Sequence, residues 1–309
     1  MKIFFSILLL SLSLSAKNNI TITPNEVYAQ SVLIDEEIIF LLKYYNIQHA
    51  HDNKTIVKNI MLTSQTKPRN SWQKTYEIMV KINLLRNKYK LAMIEPVNIE
   101  AVLNMSSELV YEQTQRVLTE LQIFKTRMSI KSPIFKLKTF KGKTSADVFY
   151  LLSHISEALD ELNQGVFTPS NVFAENIRLY DDLTTILQHL NIEDKTIPYK
   201  INQDSTPTDT FNIAKQMLDI IKQLHIKAGI DFVDFSEFKT DKATPSDVFA
   251  LTQMIIAELQ PIKAYIGLSD YVTPSSHKYY GKTSVEVNQL MSWCLRKLKL
   301  ITTLEERRE

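Results

Sequence analysis

A six-residue phrase beginning with Thr-Pro recurs along the chain and constrains its fold more than any other feature. Its clearest copies are Thr23-Pro24-Asn25-Glu26-Val27-Tyr28, Thr168-Pro169-Ser170-Asn171-Val172-Phe173, Thr206-Pro207-Thr208-Asp209-Thr210-Phe211 and Thr244-Pro245-Ser246-Asp247-Val248-Phe249, the last three spaced 38 residues apart. Weaker copies without the proline begin at Ser71, Ser106, Thr144 and Thr283. Each position suits the start of a helix. A Thr or Ser hydroxyl accepts a bond from one of the unpaired first-turn N–H groups. Pro follows because its fixed φ is helical and its missing N–H would have had no partner there. An acid or amide three residues after the cap, at Glu26, Asp147, Asn171, Asp209, Asp247 and Glu286, faces the positive end of the helix and reaches back to the cap.

Behind the caps, apolar residues recur at the helical period. Val148, Phe149, Leu152, Ile155, Leu159 and Leu162 form one such stripe, and Val248, Phe249, Thr252, Ile255, Leu259 and Ile262 another. The caps at Thr144 and Thr168 leave room only for a tight turn at Gly165, which predicts an antiparallel hairpin. Elsewhere each helix is followed by a long connection such as 125–143 or 227–243, too apolar to lie in water. Extended chain of that length spans a helix of about 30 Å, so a connection running back along the bundle lets successive helices lie parallel. The expectation is an all-α fold, an irregular helical-repeat bundle or solenoid of about eight helices with packed connections. It reads as one repeat domain over 17–309, with 129–143 as the place where it would divide. The tetratricopeptide pattern is not matched.

Five glycines in 309 residues agree with long helices. Lys2, the apolar run from Ile3 to Leu14 and the small residues to Ala16 read as a signal peptide over 1–16. A retained membrane anchor is the alternative, although the run is short of the roughly 20 residues that span a bilayer. The expected location is therefore periplasmic or secreted. Cys294 has no second cysteine to pair with and sits among apolar residues of the last helix, where it reads as a small buried hydrophobe. A formal net charge of +2 points by itself to no nucleic acid and no membrane.

Candidate sites are few. Gly142-Lys143-Thr144-Ser145 and Gly281-Lys282-Thr283-Ser284 resemble the end of a phosphate loop, but Leu137 and Ser276 stand where that loop needs its first glycine. Both threonines also occupy cap positions. His49, His51 and Asp52 form a small cluster that reads as loop, with a metal site as the alternative. His154, His189 and His225, and acids such as Asp160-Glu161 and Asp181-Asp182, read as solvated helix faces. The segment 125–143 carries seven basic residues and no acid, interleaved with Phe135, Leu137 and Phe140. Lys131, Phe135, Lys136, Lys138, Phe140, Lys141 and Lys143 are its candidate interaction residues. No cofactor and no catalytic residue is expected. The leading reading is an exported, non-catalytic protein-binding or scaffold component of the cell envelope, its partner another envelope protein. The alternatives are a binder of an anionic surface, lipid headgroup or cell-wall polymer, through 125–143, and a small-ligand sensor or enzyme whose site is assembled between helices.

Overall fold

The computed structural model describes residues 21–48, 65–96, 98, 100–131, 133–165, 167–200, 203–236 and 240–302. The signal segment 1–16 and the His49, His51 and Asp52 cluster lie outside them. Among the described residues the fold is all-helical. Its helices are α1 (Pro24–Tyr44), α2 (Pro68–Lys88), α3 (Ser107–Arg127), α4 (Ser145–Asn163), α5 (Pro169–His189), α6 (Pro207–Ala228), α7 (Pro245–Tyr265) and α8 (Ser284–Leu298).

The caps explain where the helices begin. Thr144, Thr168, Thr206 and Thr244 each accept from the backbone N–H three residues on, while their own N–H groups donate to Asp147, Asn171, Asp209 and Asp247 at 2.7–2.9 Å. The short Asp side chain therefore reaches the cap as Glu does, as Glu26 shows at 2.8 Å from Thr23 N. Ser106 caps α3 through Leu109 N, and Thr283 stands at the cap of α8 with its N–H on Glu286. Ser71 is not a cap. The helix begins three residues earlier at Pro68, so Ser71 lies inside its first turn, buried. The phrase in that place is Lys67-Pro68-Arg69-Asn70. Lysine has no acceptor, so only the reciprocal bond remains, from Lys67 N to Asn70 Oδ1 at 2.8 Å.

The third position of the phrase has a separate task. Asn25 Oδ1 accepts from Lys143 N, Ser170 Oγ from Lys282 N, Thr208 Oγ1 from Ala243 N and Ser246 Oγ from Phe167 N, at 2.9–3.1 Å. Each donor is the residue just before a neighbouring helix's cap. The short polar side chain thus ties one helix start to the next in register.

Helix ends follow a second repeated rule. Asn46, Lys90, Ser129, Gln164 and Asn191 adopt φ near +55°, and Gly229 and Gly267 take positive φ of 69° and 87° without a Cβ penalty. In most cases the following apolar residue, Ile47, Leu91, Ile130, Ile192, Ile230 or Leu268, sends its N–H back to a last-turn carbonyl at 2.8–2.9 Å. At the hairpin the left-handed residue is Gln164, with φ 55°, rather than Gly165.

The eight helices form two rings of four. In the first, α1 and α2 are diagonal and each packs on α3 and α4; in the second, α5 and α6 are diagonal and each packs on α7 and α8. The connectivity is the same in both. The helix starts Pro68 and Pro207, Ser107 and Pro245, Ser145 and Ser284 are separated by intervals that agree within one residue. Within a ring all four helices run parallel. Their first turns converge on one small hollow, lined by Pro24, Val27, Pro68 and Val110 among others in the first ring and by Pro169, Val172, Pro207 and Val248 among others in the second.

Parallel helices need a return path, and the connections supply it. Segment 133–143 descends α1, with Phe135 against Phe40, Lys138 on Glu36 and Phe140 against Tyr28. Segment 194–200 does the same on α8, with Asp194 on Lys297, Thr196 on Trp293 Nε1 and Tyr199 O on Gln289. Segment 129–143 joins two helices of one ring. The change of ring comes at the tight 164–168 turn, and it inverts direction.

Each ring has its own apolar core. The rings join through α2 and α7, which cross antiparallel: Asn70 meets Glu258 and Gln73 meets Gln253. Both helices are buried on nearly every face. α7 manages this mostly with apolar side chains, Glu258 and Lys263 being its buried charges, whereas α2 buries Arg69, Asn70, Gln73, Lys74, Glu77 and Lys81. Each of these charges is paired. Arg69 meets Glu258 through two bonds of 2.8 and 3.0 Å, Lys74 meets Glu77 at 2.6 Å, and Lys81 meets Asp160 at 2.7 Å.

Candidate functional site

Beside the α2–α7 crossing, the two rings leave a cleft of ≈ 680 Å³. One wall is the second half of α2, from Tyr76 to Asn87, and the other is the first two turns of α5, from Ser170 to Glu175. Two extended segments, Met93–Pro96 and Pro274–Tyr280, form its rims. These segments come from the returns after α2 and α7, and they touch at one antiparallel bridge between Glu100 and Val272.

The walls are held rigidly. Asn83 clamps the first rim by accepting from Ile94 N at 2.9 Å and donating to Ile94 O at 2.6 Å. Arg178 organises the floor. It pairs with Glu175 at 2.5 Å, donates to Pro274 O at 2.8 Å and to Asn98 Oδ1 at 2.9 Å, and lies 4.0 Å from the ring centroid of Tyr76. Asn98 in turn donates to Ser275 at 2.9 Å, so one buried guanidinium fixes both rims. Burial pushes the Tyr76 phenol up to about 12, keeping it a neutral donor at neutral pH. The charge of the floor is consumed by its own ion pair. Val80, Leu84, Asn87 and Phe249 give the walls apolar and amide surface, while Glu95, His277 and Lys278 bring polar and charged groups to the rims, where Tyr280 stands 81 % exposed.

The residues singled out in the sequence lie elsewhere. The basic segment is on the outer side of the first ring, along α1. Lys125 is not part of an exposed strip: it is buried on Glu37 at 2.5 Å. Lys143 sits 4.1 Å over the ring of Tyr28, while Lys131, Lys136 and Lys141 are exposed. The two Gly-Lys-Thr-Ser stretches are equivalent starts of the fourth helix in each ring, and Lys282 is paired with Glu286 at 2.7 Å.

Several polar groups expected on solvated faces are buried. His225 is 0 % exposed, its Nε2 2.9 Å from Glu258 O, and burial lowers its pKa. Asp182 is likewise 0 % exposed and meets Lys263 and Thr273, each at 3.0 Å. Asp160 is held by Lys81. His154 stands 3.3 Å from Asp35 and His189 Nε2 stands 2.7 Å from Ile266 O. Cys294 is buried, and burial raises its thiol pKa. Among the described residues no group of three or more His, Cys, Asp or Glu is placed to hold a metal.

The cleft itself was not visible in the sequence. Its one local signal is Glu175 and Arg178, opposite charges three apart on α5 with Asp182 a turn beyond, a spacing that reads equally as a solvated face. Comparison with protein-family models, with curated proteins and with solved structures finds no match.

Proposed function

We propose that this chain is a non-catalytic binding protein of the cell envelope that holds an extended segment of a partner protein in the cleft between its two rings. The observation that carries this reading is the cleft. Its volume lies within the ~300–1,000 Å³ typical of recognition pockets. Two of its four sides are extended chain; side chains already bond Ile94 N and O, Glu95 O and Pro274 O, so the stretch His277–Tyr280 is the one that would offer backbone N–H and C=O groups alongside apolar surface, the combination that recognises a polypeptide backbone. Export rests on the apolar stretch after Lys2. A non-catalytic role is supported by the pairing of Glu175 with Arg178, which leaves the floor rigid and its charge balanced.

The test is selection from a displayed random-peptide library against the full chain, with Ala174→Trp as the cleft-filling variant and Lys195→Gln as an exposed control. Peptides that bind wild type and the control but not Ala174→Trp are expected. Peptides indifferent to Ala174→Trp would refute the cleft as the site. The same volume favours a small ligand as the second reading, and a thermal shift from a metabolite library, abolished by Ala174→Trp, would replace the peptide with it.

A further inference from the structure

On the face of the first ring away from the cleft, the return segment after α3 presents apolar and basic side chains together. Ile134 is 94 % exposed and Leu137 59 % exposed; the equivalent return of the second ring exposes Ile197 and Tyr199 at 68 % and 56 %, but there Glu193 and Asp194 stand beside them. Lys131, Lys136 and Lys141 flank them, also exposed. The segment 127–143 contains no acidic residue. Tyr44, 51 % exposed, continues the apolar face, since its ring lies 6.3 Å from Phe40, which in turn contacts Phe135.

The backbone of the strip is pinned. Phe135 and Phe140 pack on α1, Lys138 pairs with Glu36 at 2.6 Å, and Lys143 N donates to Asn25. Ile134 and Leu137 are thus held outward at little further cost in chain entropy. A hollow of ≈ 320 Å³ lies behind Pro133–Phe135, but Glu37 and Gln122 are in its wall, and the exposed aliphatic groups leave it unfilled. Protruding apolar groups ringed by cations suit a medium that surrounds them and carries negative charge on its surface. No described helix is long and apolar enough to cross a membrane, so any lipid contact by the described residues is made at the surface.

We infer that Lys131 and the strip 133–141 seat the protein on an anionic lipid leaflet. Ile134 and Leu137 enter the interfacial region, Lys131, Lys136 and Lys141 lie against the headgroup phosphates, and Tyr44 sits at headgroup level. This inference stands apart from the cleft.

The experiment is co-sedimentation of the full chain with vesicles of phosphatidylcholine, with and without phosphatidylglycerol, at low and raised salt. Binding should require phosphatidylglycerol and weaken with salt. Lys136→Gln and Lys141→Gln should each lower the partition coefficient roughly fivefold. Ile134→Ser combined with Leu137→Ser should lower it by about tenfold or more. All four positions are exposed, so folding should be untouched, and circular dichroism of each variant checks this. Lys195→Gln, an exposed lysine of the other ring at 78 %, should bind as wild type. Failure to bind phosphatidylglycerol vesicles, equal binding to phosphatidylcholine alone, or strip variants indistinguishable from wild type would each overturn the inference.

Discussion

At the scale of single residues, small side chains at helix ends carry more of the fold than their size suggests. Ser246 accepts the N–H of buried Phe167, whose ring stacks on Phe249 at 3.9 Å between centroids. Ser246→Ala leaves that donor without its partner and should cost about 1–3 kcal/mol in chemical denaturation. Thr206→Ala, which removes an exposed cap, should cost only about 1 kcal/mol. At the other end of the helices, Lys90 holds φ +57° and is exposed. Lys90→Gly should therefore stabilise by roughly 0.5–1 kcal/mol, the reverse of the usual effect of glycine. Glu157 on α4 gives the pH dependence. Burial raises its carboxyl from 4.5 to about 7, against the pull of His154, Lys74 and Lys81, and its Oε1 has no hydrogen-bond partner. Between pH 4.5 and about 7 the unfolded chain has released this proton while the folded chain keeps it, so stability falls as pH rises through that window. His154, raised by its bond to Asp35 despite burial, adds a loss of the same sign above its unfolded pKa. Glu157→Gln should flatten the slope between pH 5 and 7 and raise stability at pH 7.5 by about 2 kcal/mol, measured by urea titration at each pH.

At the scale of elements, legibility in the sequence follows the kind of side chain that each helix buries. The apolar stripe of α7 is legible from Val248 to Ile262. α2 carries Arg69, Lys74, Glu77, Lys81 and Arg86 within five turns, yet all five are buried. Its charges are satisfied by acids and carbonyls as far as 34 to 189 residues away as well as by one another, and no local pattern announces such partners. The same reason hid the cleft, whose floor depends on Arg178 meeting Pro274, Asn98 and Tyr76 from three other segments. The helix starts were readable because the cap, its proline and its acid sit within four residues. Ser71 misled because Lys67 stands in the cap position of that copy while Ser71 lies at the right distance before an apolar run. The buried α2–α7 pair yields an energetic prediction. Glu258→Ala strands Arg69 in the interface and should cost about 3–5 kcal/mol, whereas adding Arg69→Met should recover most of it in a double-mutant cycle.

At the scale of the whole molecule, two rings of identical connectivity and opposite polarity share one interface and carry distinct surfaces. The cleft is formed between the rings, and the lysine strip belongs to the first ring alone. Because α2 and α7 join the two cores through the buried Arg69–Glu258 pair, the intact chain should melt in one calorimetric transition, and Glu258→Ala should separate it into two. The parallel run of the four helices in each ring has a consequence of another kind. An ordinary up-and-down bundle zips together helices that are neighbours along the chain. In these rings Asn25 finds Lys143 across 118 residues and Lys81 finds Asp160 across 79, and each return segment must be laid down before the next helix can dock. Contact order of this kind is the property that slows β-sheet proteins. This all-helical chain should accordingly refold on the timescale of a β-sandwich.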